Sequence, residues 1–377
     1  MSDAHIVGAG LTRFGDLAPA DTLDLMAMAA EDALADAGLA RGDIDGLIVG
    51  YSTTFPHIML SSAFAEHLGL VPSCAHAVQL GGATGLAMLA AARHVAVAGA
   101  ARRILVVAGE NRRTGQTPEQ TISTLAQVGD RTHEVPNGGL IPAYYALLAS
   151  RYLHETGATE EDLAEFVVLM RRHAAAYPGA QYAEEVTVAD VMASKPIATP
   201  LKRLDCCPIS DGAAALVVAA EPIGRSARIA GTGQAHTHLA MMHAPADIAV
   251  GARTASAAAF AEAGSTADAV DMLAVYDSFS VTLAMLLEAC GFAEPGRSAD
   301  GVRDGRFAMD GRQPLNPHGG LLAYGHSGVA GGMAHAVEAF RQLTDRSPVQ
   351  AGQPSTAFVH ADGGVLSAHV SMVLERA

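Results

Sequence analysis

The stretch Gln79-Leu80-Gly81-Gly82-Ala83-Thr84-Gly85-Leu86-Ala87 decides the reading of this chain. Its glycines form a turn, and from Gly85 to Val97 the residues are almost all small and apolar. A helix that is hydrophobic all round belongs in the interior, so this one is expected between sheets rather than on the surface. The neighbouring runs agree with that placement. Ile104-Leu105-Val106-Val107 and Ala215-Leu216-Val217-Val218 are continuous apolar segments, as expected of strands buried on both faces.

Upstream, Thr22 to Ala37 has helical periodicity, stops at Gly38 and leads through Asp43-Ile44-Asp45 into the strand Leu47-Ile48-Val49. The phrase returns later in the chain. Ala33-Leu34-Ala35-Asp36-Ala37-Gly38, followed by Asp45-Gly46-Leu47, aligns without a gap on Ala259-Phe260-Ala261-Glu262-Ala263-Gly264, followed by Asp271-Met272-Leu273. Gly82-Ala83-Thr84-Gly85 likewise pairs with Gly328-Val329-Ala330-Gly331, each opening an Ala-rich helix. Two similar halves are therefore expected, built from βαβ units around a mostly parallel sheet. Between Thr114 and Lys202 the pattern changes to polar turns and two helices, Leu140 to Thr156 and Glu160 to Ala176. The domain reading is residues 1–113 with 203–225 as one half, 114–202 as an inserted loop or lid, and 226–377 as the second half.

A chain of 377 residues with 50% hydrophobic content can bury substantial cores, and its net charge of -15 argues against nucleic acid and anionic membrane as partners. No apolar run approaches the roughly 20 residues that span a bilayer, and residues 1–16 hold no apolar signal core, so a cytoplasmic location is expected. The four cysteines, Cys74, Cys206, Cys207 and Cys290, have neither zinc-ribbon nor secretory spacing. No metal site is expected: His236-Thr237-His238 with His243 lacks a fourth ligand and reads as a solvated loop. Gly8-Ala9-Gly10 lacks the third glycine and the following helix of a dinucleotide fingerprint.

Several motifs then fall in a specific order: Ile6-Val7-Gly8-Ala9-Gly10, Gly109-Glu110-Asn111, Arg172-His173-Ala174, and Asp205-Cys206-Cys207-Pro208-Ile209-Ser210-Asp211-Gly212. Tyr276-Asp277-Ser278-Phe279, Asn316-Pro317-His318-Gly319-Gly320 and Gly325-His326-Ser327-Gly328 follow. Over nearly its whole length the chain resembles the thiolase superfamily, in the branch of sterol-carrier-protein-X thiolases and lipid-transfer-protein aldolases. The resemblance implies a five-layered αβαβα fold of two similar halves, a homodimer, and an active site where the halves meet. It also implies that the inner helices near Gly82 and Gly328 aim their N-termini, and hence backbone N–H groups, at a developing oxyanion.

The resemblance also exposes departures. The position of the nucleophilic cysteine is Gly82, which cannot form an acyl-enzyme. Tyr276 stands where thiolases open their Asn-Glu-x-Phe or His-Asp-x-Phe motif, and the acid/base cysteine of the C-terminal Cys-x-Gly-Gly loop falls at His360. The histidine of Gly-His-Pro survives as His326. The catalytic residues implied are Tyr276, His326 and His360; Gly82, Asn316 and Gly364 are the substrate or oxyanion contacts. His318 orients water or its loop. Arg112-Arg113 reads either as a CoA-phosphate contact or as a surface or dimer pair.

Keeping His326 while losing the nucleophile preserves enolate chemistry and removes acyl transfer. The expected activity is retro-aldol cleavage of a β-hydroxyacyl-CoA, such as a steroid side-chain thioester, with CoA entering as part of the substrate and no covalently bound cofactor. The resemblance implies a separate small zinc-ribbon/OB-fold partner and a heterotetramer. Two rivals stand beside this reading: a noncatalytic acyl-CoA or lipid-binding scaffold subunit, and a thiolase-like acyl-CoA condensation.

Overall fold

The computed structural model describes residues 3–377. The first half runs β1 (His5–Leu11), α1 (Thr22–Ala37), β2 (Gly46–Gly50), α2 (Leu60–Leu68), β3 (Cys74–Val78), α3 (Thr84–Val97) and β4 (Arg103–Asn111). Then come α4 (Pro118–Leu125), α5 (Ile141–Thr156), α6 (Glu160–Ala176), α7 (Val188–Ala193), the short pair β5 (Pro196–Ala198) and β6 (Leu201–Lys202), and β7 (Asp211–Ala219). The second half contains β8 (Ala227–His236), α8 (Val250–Ala263), β9 (Met272–Val275), α9 (Ser280–Ala289), α10 (Asp300–Arg303), α11 (Gly320–Ala323), α12 (Val329–Leu343), β10 (Thr356–Gly363) and β11 (Ala368–Arg376).

Local chemistry accounts for the element boundaries. Asp21 and Asp24 form a reciprocal capping box at the start of α1, and Gly38, at φ 67°, ends it in the left-handed region that glycine enters without strain. One packing device occurs in both halves. A Cβ on Gly8 or Gly10 would collide with the carbonyls of Ala33 and Ala29 on α1, and a Cβ on Gly231 or Gly233 would collide with those of Ala259 and Ala255 on α8. These glycines let each outer helix lie directly on its strand, which is the structural role of Gly8-Ala9-Gly10.

The large sheet has the order β3-β2-β4-β7-β1-β8-β11-β10-β9. The run β2-β4-β7-β1 is mirrored by β8-β11-β10-β9, so the repeat seen in the sequence is also a repeat of topology. Within the sheet the halves join where β1 pairs with β8, His5 opposite Arg228 and Ile6 opposite Ala227. The expectation of a mostly parallel sheet is corrected. Among the described strands, only β2 with β3, β2 with β4, and β9 with β10 are parallel. The last strand of each half does not arrive by a helical crossover from its neighbour: β7 follows the long insertion and β11 a tight hairpin, and both run antiparallel.

Helix α3 touches β2, β4 and β7 of its own half and β10 and β11 of the other, while α12 does the converse. The two helices cross where Gly85 meets Met333, whose backbone would stand 3.0 Å from a Cβ at Gly85. With α1 and α8 outside, the layers run αβαβα. The first half of α3 is buried as its composition demands, and its end surfaces at His94 and Val97. The segment from α4 to β6 adds no strand to this sheet; α5 and α6 pack on α9.

Candidate active site

The turn before α3 is closed by Thr84, whose hydroxyl donates to the Gly81 carbonyl at 2.6 Å and accepts from Leu80 N–H at 2.7 Å. Gly81 is at φ 57°. This brings Gly82 to the end of β9, against Tyr276. A Cβ on Gly82 would stand 2.6 Å from Tyr276 Cζ and would collide with the Tyr276 hydroxyl and the Asp362 carbonyl.

Tyr276 Oη lies 2.9 Å from His326 Nε2. Each partner has its own anchor. The Tyr276 N–H donates to the His360 carbonyl at 3.0 Å, while the next residue, Asp277, accepts from Leu321 N–H at 2.7 Å and Leu322 N–H at 3.2 Å. Asp277 thereby ties the strand carrying Tyr276 to the short helix that precedes His326. The His326 loop is held by the first half: its N–H donates to Ser210 Oγ at 3.0 Å and its carbonyl accepts from Ser210 N–H at 3.1 Å. Ser327 Oγ lies 2.8 Å from the carbonyls of both Glu110 and Gly212. The pair therefore sits where the halves meet, at the N-termini of α3 and α12.

Both members are electrically neutral at neutral pH. Burial, with the charge of Arg112, pushes His326 down to about 3, and burial together with the Asp362 carboxylate holds the Tyr276 hydroxyl well above the ordinary tyrosine range. A neutral phenol hydrogen-bonded to a neutral imidazole can donate to a developing oxyanion and pass a proton along the bond.

The other expected residues divide. Gly364, at φ 72°, is in this cluster, since its N atom would stand 3.0 Å from a Cβ on Gly81. His360 is not, and its expected placement is corrected. Its ring is fully buried with Nδ1 2.8 Å from Ser371 Oγ and Nε2 3.3 Å from His369 Nδ1, and it stacks on Phe358. Phe358 in turn stacks on Phe260 of α8, so His360 faces the outer helix. Side chains alternate along a strand, and it is Ala361 and Gly363 that face inward: a Cβ on Gly363 would collide with the Leu80 carbonyl. Asn316 is also corrected. Its Oδ1 accepts from Val275 N–H and its Nδ2 donates to the Val275 carbonyl, each at 2.8 Å, so the amide is engaged in fixing β9 rather than offered to a ligand. His318 is buried behind the site, its ring 5.0 Å from that of His335.

Two further groups act on the pair through their charge: Asp362, which sequence reasoning did not single out, and Arg112, to which it gave a different place. Asp362 accepts a hydrogen bond from Tyr145 Oη of α5 at 2.8 Å, its Oδ1 has no hydrogen-bond partner, and burial pushes its carboxyl up to about 8. The adjacent Gly363-Gly364 was its only signal. Arg112, read as a phosphate or surface residue, is 8% exposed beside Glu110.

Residues 4–222 match the family described as Thiolase, N-terminal domain, and residues 231–376 the one described as Thiolase C-terminal domain-like. An acetyl-CoA acetyltransferase of Methanothermobacter thermautotrophicus is 34% identical over 91% of this chain and 91% of its own length. The 17-hydroxy-3-oxo-4-pregnene-20-carboxyl-CoA lyase of Mycobacterium tuberculosis is 32% identical, covering 91% of this chain and 92% of its own. A solved structure of the Ltp2-ChsH2(DUF35) aldolase superposes with a TM-score of 0.87 at 29% identity, over 100% of this chain and 98% of that one. The chain belongs to the thiolase family, in the branch that includes these aldolases.

Proposed function

We propose that this thiolase-family chain is a carbon-carbon lyase that cleaves a β-hydroxyacyl-CoA by a retro-aldol reaction. The observation that carries the reading is the Tyr276–His326 pair, whose hydroxyl fills the space beside Gly82 where the family resemblance puts a cysteine. In the reaction a base takes the β-hydroxyl proton, that oxygen's electrons form a carbonyl, and the Cα–Cβ bond breaks. Its electron pair is held as the thioester enolate until a proton returns to Cα. No acyl-enzyme is needed. The hydrogen-bonding groups at Tyr276, His326 and the start of α3 suit an oxyanion of this kind.

The names of related lyases and aldolases support this class of reaction and make steroid side-chain thioesters the first substrates to assay. The aldolase solved together with ChsH2 supports a DUF35-type partner, here read as a small zinc-ribbon/OB-fold protein completing a heterotetramer around a homodimer of this chain. The related acetyltransferase favours a second reading, acyl transfer or condensation, but Gly82 offers no nucleophile for it.

The test incubates candidate β-hydroxyacyl-CoA thioesters with the chain, with and without such a partner, and follows release of the ketone or aldehyde and the shortened acyl-CoA. Tight acyl-CoA binding with no cleavage by any combination would replace the lyase by a binding subunit.

A further inference from the structure

Arg112 follows the last residue of β4 and turns into the site. Its stem passes the start of α12, where a Cβ on Gly328 would stand 3.5 Å from Arg112 Cδ. Its charge helps push His326 down and offsets part of the rise that burial causes at the Tyr276 hydroxyl and the Cys207 thiol. Glu110 stands beside it as a counter-ion but gives it no hydrogen bond. Glu110 Oε2 is 3.7 Å from Arg112 Nε, beyond hydrogen-bond range, and Oε1 is taken by the Thr53 N–H. Arg112 Nε is buried with no hydrogen-bond partner. A buried guanidinium nitrogen without a partner is costly, and the group's planar fork is matched best by a carboxylate.

We propose that Arg112 is the contact for a carboxylate on the acyl chain, so that the thioester handled here carries an anionic group within a few bonds of its carbonyl. This rests on the reading of Tyr276 and His326 as the acyl-CoA site. The position is wrong for a CoA phosphate, because Arg112 is 8% exposed and adjoins the catalytic histidine rather than the protein surface. The inference moves the substrate class from neutral, bulky acyl groups toward dicarboxylic ones.

The experiment is calorimetric titration of the full-length chain with succinyl-CoA and with butyryl-CoA. These have acyl chains of equal length, and neither carries the β-hydroxyl needed for cleavage. Succinyl-CoA is expected to bind at least about tenfold tighter, with the preference lost in Arg112→Gln and partly kept in Arg112→Lys. Because Arg112→Gln leaves Glu110 buried without a cation, the Glu110→Gln/Arg112→Gln double variant is titrated beside it. Bound carboxylate is also expected to raise the titration midpoint of His326, followed by NMR, by offsetting the Arg112 charge. Equal affinities in the parent, no saturable succinyl-CoA binding, or a preference that survives Arg112→Gln would overturn the proposal. The lyase reading fails separately: a succinyl preference without cleavage of any β-hydroxyacyl-CoA sinks the lyase alone, and cleavage of neutral substrates with no succinyl preference sinks the carboxylate contact alone.

Discussion

The hydroxyl of Tyr276 occupies the place in which a side chain on Gly82 would have to stand. The two residues are complementary, and the departure at one position accommodates the departure at the other. Gly82→Ala is therefore expected to destabilise the fold by about 1–3 kcal/mol through overpacking, measured by urea unfolding. Unchanged stability would mean that the crowding is not real.

Gly82→Cys is expected to yield no thiolase. The new thiol would displace the Tyr276 ring, and Ala361, not a cysteine, faces inward from β10. The assay is thiolysis of acetoacetyl-CoA by free CoA. Robust turnover by this single variant would show that the rest of the site still supports acyl transfer.

Tyr276→Phe and His326→Ala remove the two ends of the 2.9 Å bond. If the pair acts mainly in the transition state, each is expected to lower kcat on the order of 100-fold to 1,000-fold with little change in KM. Tyr276→Phe deletes only one hydroxyl and is expected to cost about 1 kcal/mol of stability. Steady-state kinetics with the cleaved substrate decide the matter, and parental rates in both variants would remove the pair from the chemistry.

Asp362 gives a pH signature. Its folded-state carboxyl, at about 8, binds a proton that the unfolded chain, near 3.8, has released, so this group costs stability as pH rises between those values, by about 1.4 kcal/mol per pH unit at most. His326, lowered to about 3 from 6.5, acts in the opposite sense between those two values. Above pH 6.5 the Asp362 contribution is no longer offset by His326. Asp362→Asn is expected to flatten the fall of Tm between about pH 6.5 and 8, seen by scanning calorimetry. An identical pH profile in the variant would show that the carboxyl does not titrate there.

The edge strand β3 is half-buried at its ends and exposed through Ala75, His76 and Ala77. An exposed edge presents unpaired backbone groups that a second strand can satisfy. We expect a homodimer joined through β3, with dimer mass by light scattering at micromolar concentration. A stable monomer, with or without a natural partner, would contradict this.

Much of the frame was legible in the sequence because its causes are local. The bounds of α1 and α6 follow from their caps and periodicity, and the paired phrases around Gly38 and Gly264 announced two halves before any contact was known. Tyr276 and His326 were found because their short motifs resemble those of thiolases, and the neighbours in those motifs, Asp277 and Ser327, fix the two loops. Strand direction was less legible, since alternation of helices and strands does not report that β7 and β11 return antiparallel.

The sequence by itself determined the elements, their repetition and the identity of the two groups that meet beside Gly82. Tertiary structure alone decided which neighbouring side chains join them. A shift of one residue along β10 exchanges His360 for Ala361 on the inner face, because successive side chains on a strand point to opposite sides. Asn316 was claimed by the backbone of Val275, and Arg112 and Asp362 acquired their character from burial by segments far away in the chain. Charge and proton affinity depend on the dielectric and the partners around a group, and those are set only when distant segments pack.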